Sequence, residues 1–312
     1  MKSNYLNKRI AAGIVLYNPD NKDRLLECID SVSEQFEKLY IFDNSTKKVE
    51  IEYPERVSYI TENLNKGIAY ALNRIMEVAD KEGYDWVVTL DQDSILPKGL
   101  LNAYEESIEN DNNIAIVCPQ VIDLRRTYES IKKEPAHEYV EKCITSASCT
   151  SINAWKRVGK FDEWLFIDLV DNEFCKRLRT AGYKILKLNN YVLNQEFGKI
   201  ITKSEKRQAF WIKLSKKLNN VNIAKFSYKK FVSPMRVYYT HRNIIYVNKK
   251  MKNYGVIGYE SFNCKSFIGF LISFSLPSFF RAQNKIKVLY AILKGIYDGK
   301  TENVKPWIYI DE

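Results

Sequence analysis

The chain has 312 residues, 46% of them hydrophobic and 28% charged, with only 12 Gly and 8 Pro. That length can bury a large core without disulfides or a structural metal, and the composition excludes a disordered or fibrous chain. The formal net charge of +10 calls for an anionic partner: nucleic acid, an anionic membrane surface or a phosphorylated substrate.

The first apolar run, Ile10 to Leu16, is closed by Asn18-Pro19-Asp20 and predicts a buried strand followed by a turn. It is too short for a signal peptide or a membrane span. A helix follows, with Leu25, Leu26, Ile29 and Val32 at helical spacing. Leu39 to Phe42 predicts a second strand, ended by Asp43-Asn44-Ser45-Thr46, and Val57 to Ile60 a weaker third. Asn65 to Ala79 reads as a helix with Ile68, Ala71, Leu72, Ile75 and Val78 on one face. Trp86 to Leu90 is a fourth strand, running directly into Asp91-Gln92-Asp93. Ile114 to Cys118 and Cys143 to Ser151 predict two more, with the charged stretch Asp123 to Glu138 between them. Asn172 to Thr180 is a helix stopped by Gly182.

Strands alternating with helices predict an α/β fold with a mostly parallel sheet. Such sheets bind ligands beyond the carboxyl ends of their strands, which is where Tyr17-Asn18, Asp43-Asn44 and Asp91-Gln92-Asp93 fall. Beyond residue 198 the character changes. Lys199 to Lys230 holds ten Lys or Arg against one acid, Glu205, and Ser266 to Phe280 is uncharged and aromatic. The expected division is a catalytic core over 1–198 and a basic, helical C-terminal region over 199–312.

Asp91 and Asp93 stand two apart on an extended segment and project to the same side. Their repulsion is relieved by a hard divalent ion such as Mg²⁺, which completes its shell with substrate phosphates; otherwise they are turn acids. Asp43 can accept hydrogen bonds from a ribose hydroxyl or a nucleobase imide, or serve as an Asx-turn residue. Asn65-Lys66-Gly67 opens a helix, where free N–H groups can hold an anion or Asn can simply cap. Asp171, where the next helix begins, suits either a general base or an N-cap. Six cysteines without a CxxC pair and two histidines, His137 and His241, argue against zinc. Scattered thiols suit a reducing cytosol.

In chain order these pieces resemble glycosyltransferase family 2, inverting enzymes of the GT-A fold, and most of all its bacterial rhamnosyltransferase branch in O-antigen and capsule assembly. The resemblance rests on Tyr17-Asn18-Pro19, Asp43-Asn44-Ser45, Asn65-Lys66-Gly67-Ile68-Ala69 and Leu90-Asp91-Gln92-Asp93-Ser94. It continues through Phe166-Ile167-Asp168-Leu169-Val170-Asp171-Asn172-Glu173 and Tyr238-Tyr239-Thr240-His241-Arg242-Asn243. It implies that Tyr17, Asp43, Asn65, Gly67 and Asp91 bind a nucleotide-sugar donor. It implies too that Asp91 and Asp93 hold Mg²⁺ or Mn²⁺ against the diphosphate, and that Asp171 is the catalytic base. The donor by analogy is dTDP-L-rhamnose, with UDP-sugars as the alternative. Many relatives carry His-x-x-Gly where this chain reads Gln195-Glu196-Phe197-Gly198, so either His241 or Arg242 is expected to contact the diphosphate instead, or the metal to be held more weakly.

The basic, aromatic C-terminal region suits an anionic membrane surface, or else a helical subdomain that packs on the catalytic sheet or makes an oligomer interface. The resemblance implies a lipid-linked or oligosaccharide acceptor, and with it a cytoplasmic protein peripheral on the inner face of the cell membrane. Ser266 to Phe280 is too short to span a bilayer and reads as a helical hairpin lying in its interface. Two other readings fail. A nucleotidyltransferase needs a Gly-rich basic loop near the N-terminus, which Ala11-Ala12-Gly13-Ile14 does not supply. A nucleic-acid-binding protein needs a recognition motif, and none is present.

Overall fold

The computed structural model describes residues 8–310 except 127, 197, 199 and 220. Phe197 and Lys199, at the end of the expected core, lie outside the described residues. Eight strands form one sheet: β1 (Ile10–Leu16), β2 (Leu39–Asp43), β3 (Val57–Thr61), β4 (Trp86–Asp91), β5 (Ile114–Ile122), β6 (His137–Tyr139), β7 (Ser148–Ser151) and β8 (Lys184–Asn194). Their order is β3-β2-β1-β4-β7-β5-β8-β6. The β1–β2, β1–β4, β2–β3 and β5–β8 pairs are parallel. The β4–β7, β5–β7 and β6–β8 pairs are antiparallel, so the sheet is mixed rather than mostly parallel.

β1 and β2 are buried along almost their whole length, as expected for parallel strands covered on both faces. On one face α1 (Lys22–Ser33) and α3 (Leu100–Asn110) bury Leu25, Ile29, Leu100 and Tyr104. On the other, α2 (Ile68–Lys81) buries Leu72, Ile75 and Met76 together with the short α4 (Ile152–Arg157) and α5 (Val170–Thr180). The expected strand at Cys143 to Ser151 is confined to its last four residues. Before them, Ala147 has φ +56° and the Ser148 amide donates to Thr145 O, so residues 145–148 form a turn bonded to the end of β4 through Thr89 and the Asp91 amide.

The C-terminal region is helical. It contains α6 (Glu205–Lys217), α7 (Val221–Ala224), α8 (Pro234–Lys250), α9 (Ile257–Glu260), α10 (Phe267–Phe270), a π turn at Leu271–Ser275, α11 (Leu276–Arg281) and α12 (Lys285–Thr301). α8 starts well: Ser233 caps the Arg236 amide and Pro234 occupies the first turn. One side of α8 joins the core through Ile244 and Val247, and α12 lies along another. Ser266 to Phe280 is not a free hairpin, because Phe270 and Phe274 pack against Phe262 and His241. Among the described residues no helix is long and apolar enough to cross a membrane.

Candidate active site

β4 delivers Asp91 and Asp93 to the mouth of the sheet. Asp91 is half-buried and Asp93 exposed. The intervening Gln92 turns away and clasps β1, accepting from the Tyr17 amide at 2.8 Å and donating to the Tyr17 carbonyl. Burial, then the neighbouring Asp93 and Asp171 charges, push Asp91 up to about 6, opposed by a hydrogen bond from Gln195 and by Arg236. Asp93 is raised too, chiefly by burial. Arg24 donates to the Asp93 carbonyl at 2.9 Å and steadies the turn.

The donor set suits a hard divalent ion. Two adjacent carboxylates repel each other, and the Gln195 amide that binds Asp91 has a buried carbonyl oxygen without a protein partner. Three oxygens of this kind match what Mg²⁺ or Mn²⁺ accepts. No cluster of three His, Cys, Asp or Glu side chains occurs among the described residues; the further oxygen beside this pair is that of the Gln195 amide. Gln195 stands where the sequence comparison noted a missing histidine.

Asp171 sits in the first turn of α5. Leu169, in the left-handed region at φ +65°, is the N-cap, so Asp171 does not cap the helix as the structural alternative expected. Asp171 lines a narrow apolar cleft with Ile116, Phe161 and Phe174. That burial pushes its carboxyl up to about 6, against a 2.9 Å hydrogen bond from the Asn172 amide. The Asp171 carboxyl is thus tuned toward neutral pH by desolvation.

The loop leading to Asp171 is held from both ends of the chain. Phe166, Asp168 and Leu169 all have positive φ, a conformation that persists only where its surroundings enforce it. From below, the Ile68 amide donates to Phe166 O at 2.7 Å, and Gly67, at φ +91°, lies so close that a Cβ would stand 2.6 Å from the same oxygen. From above, buried Asn243 shares its amide between the carbonyls of Leu165, Ile167 and Asp168 at 2.7–2.9 Å. Behind α5, buried Glu173 pairs with Arg177 and Lys250, and Arg177 also donates to Val158 O and Lys160 O. That pairing offsets the cost of burying the charges and locks the helix carrying Asp171.

Several of the residues expected to contact the donor are bonded within the protein itself. Asp43 is fully buried: its carboxylate accepts from the Ser45 amide at 3.0 Å, the Val49 amide at 2.9 Å and the Tyr59 hydroxyl. It organises the loop after β2 and has no surface for a nucleobase. The α2 start is also satisfied internally, with Lys66 N bonded to Asn44, Gly67 N to Asn65 and Ile68 N to Phe166 O. Asn65 and Asn44 clasp each other at 3.0 Å, so neither Asn65 nor Gly67 presents an anion nest. His241 is enclosed, with Nδ1 on Val237 O and Nε2 on Ser275 Oγ, both at 2.7 Å. Burial pushes it down to about 4, leaving a neutral core residue with no nitrogen for a diphosphate. Arg242 is spent on the Trp164 and Leu165 carbonyls and stacks on Trp164.

A cation near the carboxylates is Arg236, in the first turn of α8, paired bidentately with Asp168 and within electrostatic reach of Asp91, while Arg24 and Lys142 act on Asp93 and Asp171. No motif marks Arg236 in the sequence; its place is visible only once α8 folds over the loop. Tyr17 stays at the mouth, nearly half exposed.

With this geometry in place, comparison with known proteins is direct. A family model, Glycosyl transferase family 2, matches residues 12–164. The dTDP-rhamnosyl transferase RfbF of Shigella flexneri is 31% identical over 199 residues, covering 58% of this chain and 66% of its own length, just under two thirds. The crystal structure of GalNAc-T7 with UDP, GalNAc and Mn²⁺ superposes at a TM-score of 0.52 with 12% identity. That match covers 88% of this chain and 57% of the GalNAc-T7 chain, a likeness of fold alone. The sheet order, the acidic pair beyond β4 and these matches agree: residues 12–164 match glycosyltransferase family 2, and the chain has a GT-A fold.

Proposed function

We propose that the protein is a metal-dependent, inverting glycosyltransferase that moves L-rhamnose from dTDP-L-rhamnose to a hydroxyl of a lipid-linked glycan acceptor at the inner face of the cell membrane. The observation that carries the reaction type is the convergence of Asp91, Asp93 and the free Gln195 oxygen with Asp171 in electrostatic reach. The donor reading is supported by the likeness to a relative named for dTDP-rhamnosyl transfer.

Asp91 and Asp93, with Gln195, would hold Mg²⁺ or Mn²⁺, which when bound supplies positive charge to the departing diphosphate. Ionised Asp171 takes the proton of the acceptor hydroxyl as that oxygen bonds to the anomeric carbon. The bond from that carbon to the diphosphate breaks on the opposite side, and the electron pair leaves with the nucleotide. One displacement inverts the anomeric centre. The apolar cleft around Asp171 excludes water that would otherwise compete as acceptor.

Thermal-shift and donor-turnover measurements with dTDP-rhamnose, UDP-sugars and GDP-sugars, with and without Mn²⁺, test this reading. A Mn²⁺-dependent response to dTDP-rhamnose alone is expected. A response only to UDP-sugars would overturn the rhamnose assignment, and metal-independent turnover would overturn the metal site.

A further inference from the structure

α12 is apolar on two opposite faces. Its inner face packs on α8 so tightly that a Cβ on Gly295 would stand 2.5 Å from Tyr238 O, and one on Gly299 2.7 Å from Arg242 O. Val288, Ala291 and Ile292 fill the rest of that contact. At about 100° per residue, Ile286, Tyr290, Leu293 and Tyr297 lie on the side directly away from it, 82%, 66%, 59% and 65% exposed. A helix apolar all round is stable only when both faces have partners, and the protein itself covers one.

Beside α12 runs a second exposed row. Ile268, Ile272, Leu276 and Phe280 follow at every fourth residue through α10, the π turn and α11, while Phe270 and Phe274 anchor the other side of this segment in the core. α11 contacts α12, so the two row-bearing helices are neighbours. Their surroundings are cationic: Arg281, Lys285, Lys287, Lys294 and Lys300 are exposed. The one acid between 266 and 300, Asp298, is bound by Lys294 and Tyr238. Residues 199–312 carry 22 Lys and Arg against 6 Asp and Glu, whereas residues 1–198 carry 26 against 32. The positive charge therefore lies in the same part of the chain as the uncovered apolar rows.

We infer that the outer rows of α10–α12 are a docking face for an anionic phospholipid bilayer, inserted to the depth of the side chains with the helices lying in the interface. Apolar and aromatic side chains ringed by lysines match that boundary, and each basic residue near an anionic leaflet strengthens binding about fivefold. A second copy on the same rows would instead bring two lysine rims together. The inference deepens the reading of a lipid-linked acceptor, on which its purpose rests.

The test is sedimentation of the full chain with phosphatidylglycerol-rich vesicles and with phosphatidylcholine vesicles. Alongside it run an Ile286→Asp/Leu293→Asp variant, a Lys285→Glu/Lys287→Glu variant and analytical ultracentrifugation without lipid. Preferential binding to the anionic vesicles is expected, falling about tenfold or more in either variant, while thermal stability and transfer to a water-soluble acceptor are kept. Undiminished binding by the variants, or equal binding to both vesicle types, would overturn it. So would a wild-type dimer that the Asp variant dissociates, which would assign the face to a second copy. If vesicle binding behaves as expected but no donor is turned over, the docking face stands and the proposed reaction fails.

Discussion

The Gln195 side chain donates its amide proton to Asp91 and keeps its own buried carbonyl oxygen without a protein partner. An orphaned acceptor of this kind is costly unless something binds it. Gln195→Ala should weaken Mn²⁺ binding about tenfold or more, measured by calorimetry on the free protein, whereas Gln195→His should restore much of it. Equal Mn²⁺ affinity in the wild type and the Ala variant would remove Gln195 from the metal site.

Asp171 must be ionised to accept a proton, and burial has pushed it up to about 6. kcat/KM should therefore fall as the pH drops below about 6, with Asp91 contributing to the same limb because it ionises in that range. Asp171→Asn should reduce turnover by about 10³-fold or more while leaving nucleotide affinity within about threefold. Arg236→Ala should move the acid limb to higher pH, since removing a cation near Asp91 makes that carboxyl harder to ionise. A full pH–rate profile on each variant decides.

The same upward shift has a consequence for stability. In the unfolded chain an Asp ionises near about 4, whereas Asp91 in the folded protein ionises near 6. Its protonated form favours folding; that contribution is complete below pH 4 and is lost as the pH rises through 6. Asp91→Asn should accordingly raise the Tm of the metal-free protein at pH 8 by a few degrees, about 2–4 °C per kcal/mol gained, and abolish the stabilisation given by Mn²⁺. A lower Tm at pH 8 would show that the ionised carboxylate is already paired within the protein.

Asp43 offers a sharp contrast between a binding and a structural role. Asp43→Ala leaves the Ser45 and Val49 amides and the Tyr59 hydroxyl without their acceptor, a loss of about 2–4 kcal/mol. Denaturation should show it directly. An unchanged Tm with a selectively raised donor KM would instead return Asp43 to the nucleotide site.

Much of this was legible in the residues. The strands ending at Tyr17, Asp43 and Asp91 are nearly continuous apolar runs because both faces of the sheet are covered. β8 was not legible: Lys184, Lys187, Asn189 and Asn190 interrupt its pattern, and only the fold shows that Asn189 is paid for by Pro135 O and Glu138. The division of labour among polar residues was hidden too. An aspartate after a strand looks the same whether it meets a nucleobase or, like Asp43, three donors of its own loop. His241 and Arg242 sit in the right block of sequence, but helical geometry turns them toward Ser275 and Trp164 and leaves Asp168 to Arg236.

The loop before Asp171 is gripped by Gly67 on one side and Asn243 on the other. Chimeras that exchange the C-terminal helices between relatives, made to redirect acceptor choice, would therefore also replace the hand that holds the loop before Asp171. Such a graft inherits the recipient's nucleotide half intact, yet it is productive only where the incoming helix carries an amide at the position of Asn243. Swaps drawn at residue 198 separate this loop from the helix that holds it, and a crossover respecting the packing must carry the Phe166–Asp171 loop together with α8.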